Sequence, residues 1–314
     1  MPSQVVLSQL SSLNLPDAVE YALIAPPEYE ESGPLPLCIM LMGGGGSRQS
    51  LVDCRPLFDA WWTAGSLAPM LFATPSAGMS YYVEDPASGV RWESFLMQDF
   101  IPHLGSTYKI GNVAITGISM GGYGALKIAF AHPEQFAAVA AMNPMMEPGY
   151  ADAEIGARNR IHHNSGGPPR LIGPARDSGL FAANQPATRA RANANRIRES
   201  GLPVYIEVGD NDFVNAHDGT EFLHRVLWDL DISHEYHLVR GGDHGGSTFR
   251  PRMRAAHAWL SAVLGTDPAA ELPAEDRALQ AIRAQLQPLR TQAAITDPTA
   301  HRRFGILPRT SEQG

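Results

Sequence analysis

Cysteine and long apolar runs are scarce in this chain, and each scarcity excludes a class of protein. Only two of the 314 residues are cysteines, Cys38 and Cys54, too few for a disulfide framework or a zinc site. No apolar run approaches the roughly 20 residues that a membrane-spanning helix needs. The first residues lack the charged and apolar regions of a signal peptide. These features predict a cytoplasmic protein without membrane contact.

Positive charge is also in short supply. The chain carries 24 lysine and arginine residues against 32 aspartate and glutamate residues, a formal net charge of −8. Nucleic-acid binding needs a basic surface, so nucleic acid is not expected as a partner. His162 and His163 are adjacent, but no carboxylate or third histidine stands at ligand spacing. A solvated loop and no metal site are therefore predicted there.

Strand-like and helix-like segments alternate through the first 265 residues. The predicted strands are residues 5–10, 18–24, 35–42, 70–73, 112–116, 136–142, 204–208 and 234–239, and the predicted helices are residues 51–64, 93–104, 123–130, 221–230 and 252–264. Pro102 is expected to end the second helix early. The alternation predicts an α/β fold with a mostly parallel central sheet and helices on both faces.

Two segments depart from this alternation. Residues 146–200 are rich in glycine, proline, arginine and asparagine without a clear strand, which predicts a lid or cap inserted into a catalytic domain of residues 1–265. Residues 266–314 form a predicted helical extension and tail. Its apolar residues at helical spacing are Leu279, Ile282, Leu286 and Leu289. This stripe is expected to pack on the parent domain or to form a homodimer contact.

The most informative motif is Gly-Ile-Ser-Met-Gly-Gly at residues 117–122. It follows a short apolar strand and precedes a helix, which is the order of a G-x-S-x-G nucleophile elbow. Ser119 is then the candidate nucleophile. Gly117 and Gly121 are expected where a side chain would collide as strand and helix close on each other. The alternative is an ordinary turn in which Ser119 only caps the helix.

A serine nucleophile needs a base and an orienting carboxylate, which follow it in the chain in α/β-hydrolases. His244 lies in a glycine-rich loop after the last predicted strand and is the candidate base. Asp210 and Asp212 both follow the preceding strand. Asp212 is preferred, because it lies deeper in the loop and Phe213 can anchor it, while Asp210 remains the alternative. Asp243 is a poor candidate, because its adjacency to His244 directs its side chain away from the imidazole.

Four consecutive glycines, residues 43–46, follow the predicted strand 35–42. Their backbone can approach a substrate oxygen closely, so the predicted oxyanion donors are the N–H groups of Met120 and of Gly44 or Gly45. A phosphate-binding loop is disfavoured, because no Lys-Ser or Lys-Thr follows the glycines. The chemistry predicted from these residues needs no cofactor and no metal.

Three blocks of sequence resemble the esterase D-like family of α/β-hydrolases. The blocks are residues 41–47, then residues 92–96, 101–102 and 117–125, and finally residues 202–206, 209–213 and 242–244. The family includes S-formylglutathione hydrolases, feruloyl and acetylxylan esterases and mycolyltransferases of the antigen 85 type. The resemblance spans about residues 17 to 264 and implies an α/β-hydrolase fold with Asp212 as the acid. It departs at Met42, where many relatives carry a histidine that supports the oxyanion loop.

Several functions are compatible with these residues. The first is a carboxylesterase that cleaves a small-molecule ester through Ser119, His244 and Asp212. The second uses the same residues on a thioester or transfers the acyl group to an alcohol. The third, a non-catalytic binding protein on a hydrolase scaffold, needs a broken triad. Trp61 and Trp92 are candidate substrate-binding residues, although large aromatic side chains more often belong to the core.

Overall fold

The computed structural model of the chain describes residues 3–27, 29–160, 178–265 and, further on, 278, 279, 281, 282, 284–286 and 288. The chain divides into two compact units, Met1–Leu264 and Gly265–Gly314. In the second unit the described residues are helical and include Leu279, Ile282 and Leu286. Leu289, and also His162 and His163 of the first unit, lie outside the described residues.

A twisted sheet of eight strands organises the first unit. Its strands are β1 (Gln4–Leu10), β2 (Val19–Ala25), β3 (Leu35–Leu41), β4 (Leu71–Pro75), β7 (Ile110–Ile118), β8 (Ala138–Met142), β9 (Val204–Gly209) and β10 (Glu235–Val239), while β5 (Glu84–Asp85) and β6 (Val90–Arg91) form a separate hairpin. The spatial order is β1-β2-β4-β3-β7-β8-β9-β10. β2 is antiparallel to both its neighbours, β1 and β4. The other six strands of this sheet, β4, β3, β7, β8, β9 and β10, are parallel to one another.

Helices cover the sheet. The described helices of the first unit are α1 (Arg48–Thr63), α2 (Trp92–Ser94), α3 (Ile101–Thr107), α4 (Met120–Ala131), α5 (Ser178–Asn184), α6 (Pro186–Ala192), α7 (Ala194–Ser200), α8 (Ala216–Asp229) and α9 (Phe249–Gly265). On one face, Phe58 of α1 and Leu260 of α9 pack in a core cluster with strand residues such as Met40. Every residue of α4 is buried. Because parallel strands expose both faces to helices, this arrangement has the mostly parallel, helix-covered sheet that the sequence predicts.

The prediction that Pro102 ends a helix early is wrong. A π-helical segment, Phe95–Phe100, joins α2 to α3, and Pro102 lies in the first turn of α3, which continues to Thr107. A proline inside a regular helix clashes with the carbonyl four residues earlier and lacks an N–H to donate. Here the turn before the proline is π-helical, and this wider turn accommodates the ring without ending the helix.

The segment predicted as a lid divides into two described parts. Residues 178–200 form α5, α6 and α7, and their Asn184, Ala187 and Ala190 are fully or almost fully buried. α6 packs against α4 and α8, which themselves contact strands of the sheet, and a lid role for this part stays a prediction. For residues 146–160, which contain two short 3₁₀ turns, the role of a lid stays a prediction. No helix among the described residues is long and apolar enough to cross a membrane.

Candidate active site

Ser119 lies at the tip of the turn between β7 and α4, with φ 56° and ψ −118°. This is a strained conformation for a residue with a side chain, and such strain is typical of functional turns. A Cβ added to Gly117 would lie 2.0 Å from the Gly121 carbonyl oxygen, and one added to Gly121 would lie 1.9 Å from the Leu41 carbonyl oxygen. The glycines therefore permit the strand and helix to meet, as the sequence predicts.

The Ser119 side chain makes no capping hydrogen bond to α4. Its Oγ instead lies 2.8 Å from Nε2 of His244, whose Nδ1 lies 2.7 Å from Oδ2 of Asp212. With the ring proton on Nδ1, His244 donates a hydrogen bond to Asp212 through Nδ1 and accepts one from the Ser119 hydroxyl at Nε2. The Asp212 side chain is fully buried, and the His244 side chain is 17% exposed. The interpretation of Ser119 as a mere helix cap is therefore wrong.

The structure brings Asp212, and not Asp210, to His244. The second oxygen of Asp212 accepts hydrogen bonds from the N–H groups of Val214 and Ala216, at 2.9 and 3.3 Å, which fix the carboxylate at the start of α8. Asp210 instead accepts from the Gly241 N–H at 2.6 Å. Each acid thus has a separate task, one orienting the imidazole and the other joining two loops.

Phe213 is predicted to anchor the acid loop, but its ring does not do so by burial, because it is 68% exposed. The anchor is a hydrogen bond from its backbone N–H to Oδ1 of Asp243 at 2.9 Å. The same oxygen accepts the His244 backbone N–H at 2.7 Å. These bonds, led by the one from His244, lower the pKa of Asp243. The Asp243 carboxylate thus bonds to backbone N–H groups and not to the imidazole, whose partner is Asp212, and it ties the acid loop to the histidine loop.

The glycine-rich loop lies against the nucleophile. A Cβ added to Gly43 would lie 3.4 Å from the Ser119 Cβ and 4.0 Å from its Oγ. The prediction of Gly45 as an oxyanion donor is wrong, because its N–H already donates to the Gly78 carbonyl at 2.9 Å. Within the described part of the chain, no hydrogen bond is formed by the N–H groups of Gly44 and Met120. Gly44 and Met120 therefore remain as the candidate donors.

A tyrosine holds the residue that precedes the glycine-rich loop. Tyr82 is fully buried, and its hydroxyl donates to the carbonyl of Met42, directly before the glycines, at 3.2 Å. Tyr81 and Tyr82 both have φ 51°, a costly conformation that surrounding contacts must maintain. One such contact is the bond from Lys127 Nζ to the Tyr82 carbonyl at 2.6 Å. Sequence reasoning missed this support, because it joins residues 40 positions apart.

Buried charges lie behind α4. Lys127 is fully buried, 3.3 Å from the Glu93 carboxylate, and also donates to the Asn184 side chain at 3.2 Å. Burial lowers the pKa of Lys127 to about 8, although Glu93 opposes the shift. Burial raises the pKa of Glu93, but the His132 hydrogen bond and the charges of Lys127 and Arg189 outweigh it and lower this pKa to about 2. The cluster joins α4 to the segment that carries Tyr82.

A second buried pair holds the histidine loop. Arg252 of α9 donates through Nε to Glu207 at 2.5 Å and through Nη1 to the Asp243 carbonyl at 2.6 Å. Its Nη2 donates to Asn143 Oδ1, while Asn143 Nδ2 donates to the His244 carbonyl at 3.1 Å. Burial raises the pKa of Glu207, and Arg252 opposes this shift. Arg252 and Asn143 thus hold two consecutive carbonyls of the loop that carries the imidazole, and no sequence motif marks them.

The two predicted substrate-binding tryptophans lie in the packed interior. Trp61 belongs to the core cluster and its ring contacts Phe58 and His257. Trp92 is 7% exposed and packs edge-on against Tyr82 and Phe95. The core interpretation therefore fits both residues. Among the described residues, no group of three or more histidine, cysteine, aspartate or glutamate side chains is placed to hold a metal ion.

This sheet, the strained serine turn and the order serine, aspartate, histidine define the fold as that of the α/β-hydrolases. Comparison with known proteins gives the family. Residues 14–260 match the family described as "Putative esterase", and the chain belongs to that family. The resemblance predicted from the sequence is confirmed.

The chain is similar to several characterised proteins. Esterase Rv1288 of Mycobacterium tuberculosis is 25% identical over an alignment of 256 residues, and the match covers 74% of this chain and 53% of that protein. The chain thus spans about half the length of this curated relative. The structure of a ferulic acid esterase has a TM-score of 0.66 at 20% identity and covers 84% of this chain and 99% of its own. An S-formylglutathione hydrolase from Agrobacterium tumefaciens has a TM-score of 0.64 at 16% identity, with coverage of 84% and 96%.

Proposed function

We propose that the protein hydrolyses carboxylic esters of small molecules through an acyl-enzyme on Ser119. The observation that carries the proposal is the continuous hydrogen-bonded chain from Asp212 through His244 to Ser119. A neutral serine hydroxyl is a poor nucleophile, and an adjacent base activates it. Membership of the Esterase family supports the same chemistry.

In the first half of the reaction, Ser119 Oγ attacks the ester carbonyl carbon while His244 Nε2 takes the hydroxyl proton. Asp212 orients the imidazole and stabilises its positive charge. The N–H groups of Met120 and Gly44 hold the oxyanion, and each donor contributes about 3 kcal/mol to such a transition state. The carbon–oxygen bond to the alcohol then breaks, and His244 gives its proton to the leaving oxygen.

In the second half, water attacks the acyl-enzyme and His244 takes a proton from it. The bond from the acyl carbon to Ser119 Oγ then breaks, His244 returns the proton to Oγ, and the product leaves as the carboxylic acid, which ionises in water. A thioester would react through the same residues, with a thiol as the leaving group. An alcohol in place of water would make the reaction an acyl transfer. Rates on matched oxygen esters and thioesters, measured with and without added alcohol, separate these reactions.

The decisive variant is Ser119→Ala, assayed on 4-nitrophenyl acetate. Removing the nucleophile of a triad lowers kcat by a factor of about 10³ or more, because only binding and oxyanion stabilisation remain. A fluorophosphonate probe is expected to label the wild-type protein and not the variant. Ser106→Ala is the matched control, since the Ser106 hydroxyl is on an exposed surface and donates to the His103 carbonyl at 2.8 Å.

Two results would contradict the proposal. One is a Ser119→Ala protein that hydrolyses the ester at the wild-type rate. The other is a folded wild-type protein that neither cleaves esters nor reacts with the probe, which would favour the non-catalytic binding protein. Circular dichroism of each variant verifies that the fold is intact.

A further inference from the structure

Two large apolar side chains at the candidate active site are exposed and take no part in the proposed chemistry. Phe213 is 68% exposed and Met79 is 45% exposed. Phe213 lies beside His244, with the ring centroids 5.6 Å apart and the ring planes at 75°. Met79 lies against the oxyanion loop, where a Cβ on Gly44 would approach its sulfur to 2.9 Å. An exposed apolar side chain is common on a protein surface, but these two lie beside the candidate base and beside a candidate oxyanion donor.

The position of Phe213 is fixed although its ring is not buried. Its backbone N–H and that of His244 share one acceptor, Oδ1 of Asp243. The residue before it, Asp212, is bonded to the imidazole itself. The backbone of Phe213 is therefore held beside His244, its ring contacts the imidazole, and most of the ring surface stays available to another molecule.

The reaction decides which part of an ester meets this ring. The leaving oxygen must receive its proton from His244 Nε2, so the alcohol part of the ester lies beside the imidazole and hence beside Phe213. The carbonyl oxygen points toward the donors on Gly44 and Met120, on the side where Met79 packs. We propose, on the basis of the function proposed above, that Phe213 forms one wall of a binding site for an apolar or aromatic alcohol group of the ester.

The same wall serves the second half of the reaction. The molecule that attacks the acyl-enzyme must give its proton to His244, so it approaches from the place that the alcohol has left. An attacking alcohol forms a bond from its oxygen to the acyl carbon, the bond from that carbon to Ser119 Oγ breaks, and its proton passes through His244 to Ser119. Phe213 therefore favours an apolar alcohol over water as the acceptor, which makes acyl transfer a measurable property of this site.

The test compares the wild-type protein with Phe213→Ala, Phe213→Leu and Trp228→Ala. Trp228 is the matched control, because it is a 56% exposed aromatic residue whose ring contacts His224. Two esters with the same acyl group are used, benzyl acetate and ethyl acetate, and acid release gives kcat/KM for each. In a second measurement, 4-nitrophenyl acetate is cleaved with benzyl alcohol or ethanol present, and the ratio of new ester to free acetate is determined.

Phe213→Ala is expected to lower the preference for benzyl over ethyl acetate about 5- to 20-fold, in line with the loss of one apolar face. The rate on ethyl acetate should fall much less than the rate on benzyl acetate, since the triad is intact and an ethyl group covers little of the ring. The yield of benzyl acetate relative to acetate should fall by a similar factor. Phe213→Leu is expected to keep part of the preference, and Trp228→Ala to keep all of it.

An unchanged preference in Phe213→Ala overturns the proposal and leaves the esterase function standing, whether the rates on both esters stay the same or fall by an equal factor. A wild-type protein that cleaves neither ester and resists the fluorophosphonate probe overturns the proposed function, and this proposal with it. Thermal unfolding of Phe213→Ala and Phe213→Leu verifies that a lost preference does not arise from a damaged fold.

Discussion

The nucleophile and the histidine of the candidate site are held in place by different means. Ser119 lies between a strand and a fully buried helix whose backbones meet through Gly117 and Gly121. His244 lies in a partly exposed loop, held by side chains of Arg252 and Asn143 that reach its carbonyls. The position of Ser119 depends on two glycines, which have no side chain to keep the strand and the helix apart. The position of His244 depends on hydrogen bonds from Arg252 and Asn143.

The contrast separates the two requirements of a serine nucleophile. The strained turn needs support from backbone contacts that cannot relax, and packed backbone supplies this. The imidazole needs a constant orientation near both Ser119 and Asp212, and a loop can supply that only when its own backbone is tied down. Substitutions around Ser119 should therefore mainly prevent folding, whereas substitutions around His244 should mainly lower the catalytic rate.

The largest effect is expected on the nucleophile side, from Gly121→Ala. The added methyl would lie 1.9 Å from the Leu41 carbonyl oxygen and 2.8 Å from that of Met42, and backbone atoms cannot move aside cheaply. Urea unfolding should show a loss of more than about 4 kcal/mol or no cooperative transition. Gly245→Ala in the histidine loop is the control, because its methyl would meet nothing within 4 Å. A Gly121→Ala protein of wild-type stability would contradict the proposed packing.

The next effect is expected on the histidine side, from Arg252→Met. This change leaves the buried Glu207 without its partner, and breaking a buried pair typically costs about 3–5 kcal/mol. Adding Glu207→Gln removes the unpaired charge, so the double variant should regain much of that stability in urea unfolding. Its kcat/KM should nevertheless stay about 10- to 100-fold below wild type, because the Asp243 carbonyl has lost its donor and the loop is less constrained.

The double variant is the informative one. A return of kcat/KM together with stability would show that Arg252 acts only on the fold and does not position His244. Arg196→Met is the matched control, since Arg196 pairs with Glu134 on the surface and exposed pairs contribute little. The free energy of unfolding and the kcat/KM of Arg196→Met should therefore both stay close to those of the wild-type protein.

The smallest effect concerns pH and the charges behind α4. The pKa of Glu93 is about 2 in the folded protein and near its usual 4.5 in the unfolded chain, so the unfolded chain binds the proton more tightly. The free energy of unfolding should therefore fall as the pH falls from 4.5 to 2, by about 3 kcal/mol from this group. Urea unfolding across this range should show a smaller fall in Glu93→Gln, and an unchanged one in the exposed control Glu199→Gln.

Much of the nucleophile side was predictable because its causes are local in sequence. Gly117 and Gly121 flank Ser119 within one motif, and the apolar strand before them is evident from composition. The choice of Asp212 over Asp210 was harder, because both follow the same strand and only the folded loop shows which one reaches His244. Gly45 could not be excluded as a donor, since its partner Gly78 lies 33 residues away.

The supports of the site were not predictable from the sequence. Tyr82 and Asn143 bond to backbone carbonyls that lie 40 and 101 residues away along the chain, and Arg252 bonds both to the Asp243 carbonyl and to the side chain of Asn143, which is 109 residues away. A backbone carbonyl has no residue-specific signature, so no pattern links it to its donor. Pro102 was misjudged for a related reason, since a π turn that accommodates a proline is not visible in hydrophobic periodicity.

Asp212 and Phe213 are consecutive residues, and this adjacency limits how the protein can diversify. Inserting or deleting a residue in their loop would displace the carboxylate that orients His244 together with the phenyl ring. Under the role proposed for Phe213, related sequences would change the alcohol that they prefer by substitution at position 213 and not by altering the length of the loop. A set of related sequences should vary at this position while the spacing between the acid and the start of α8 stays constant.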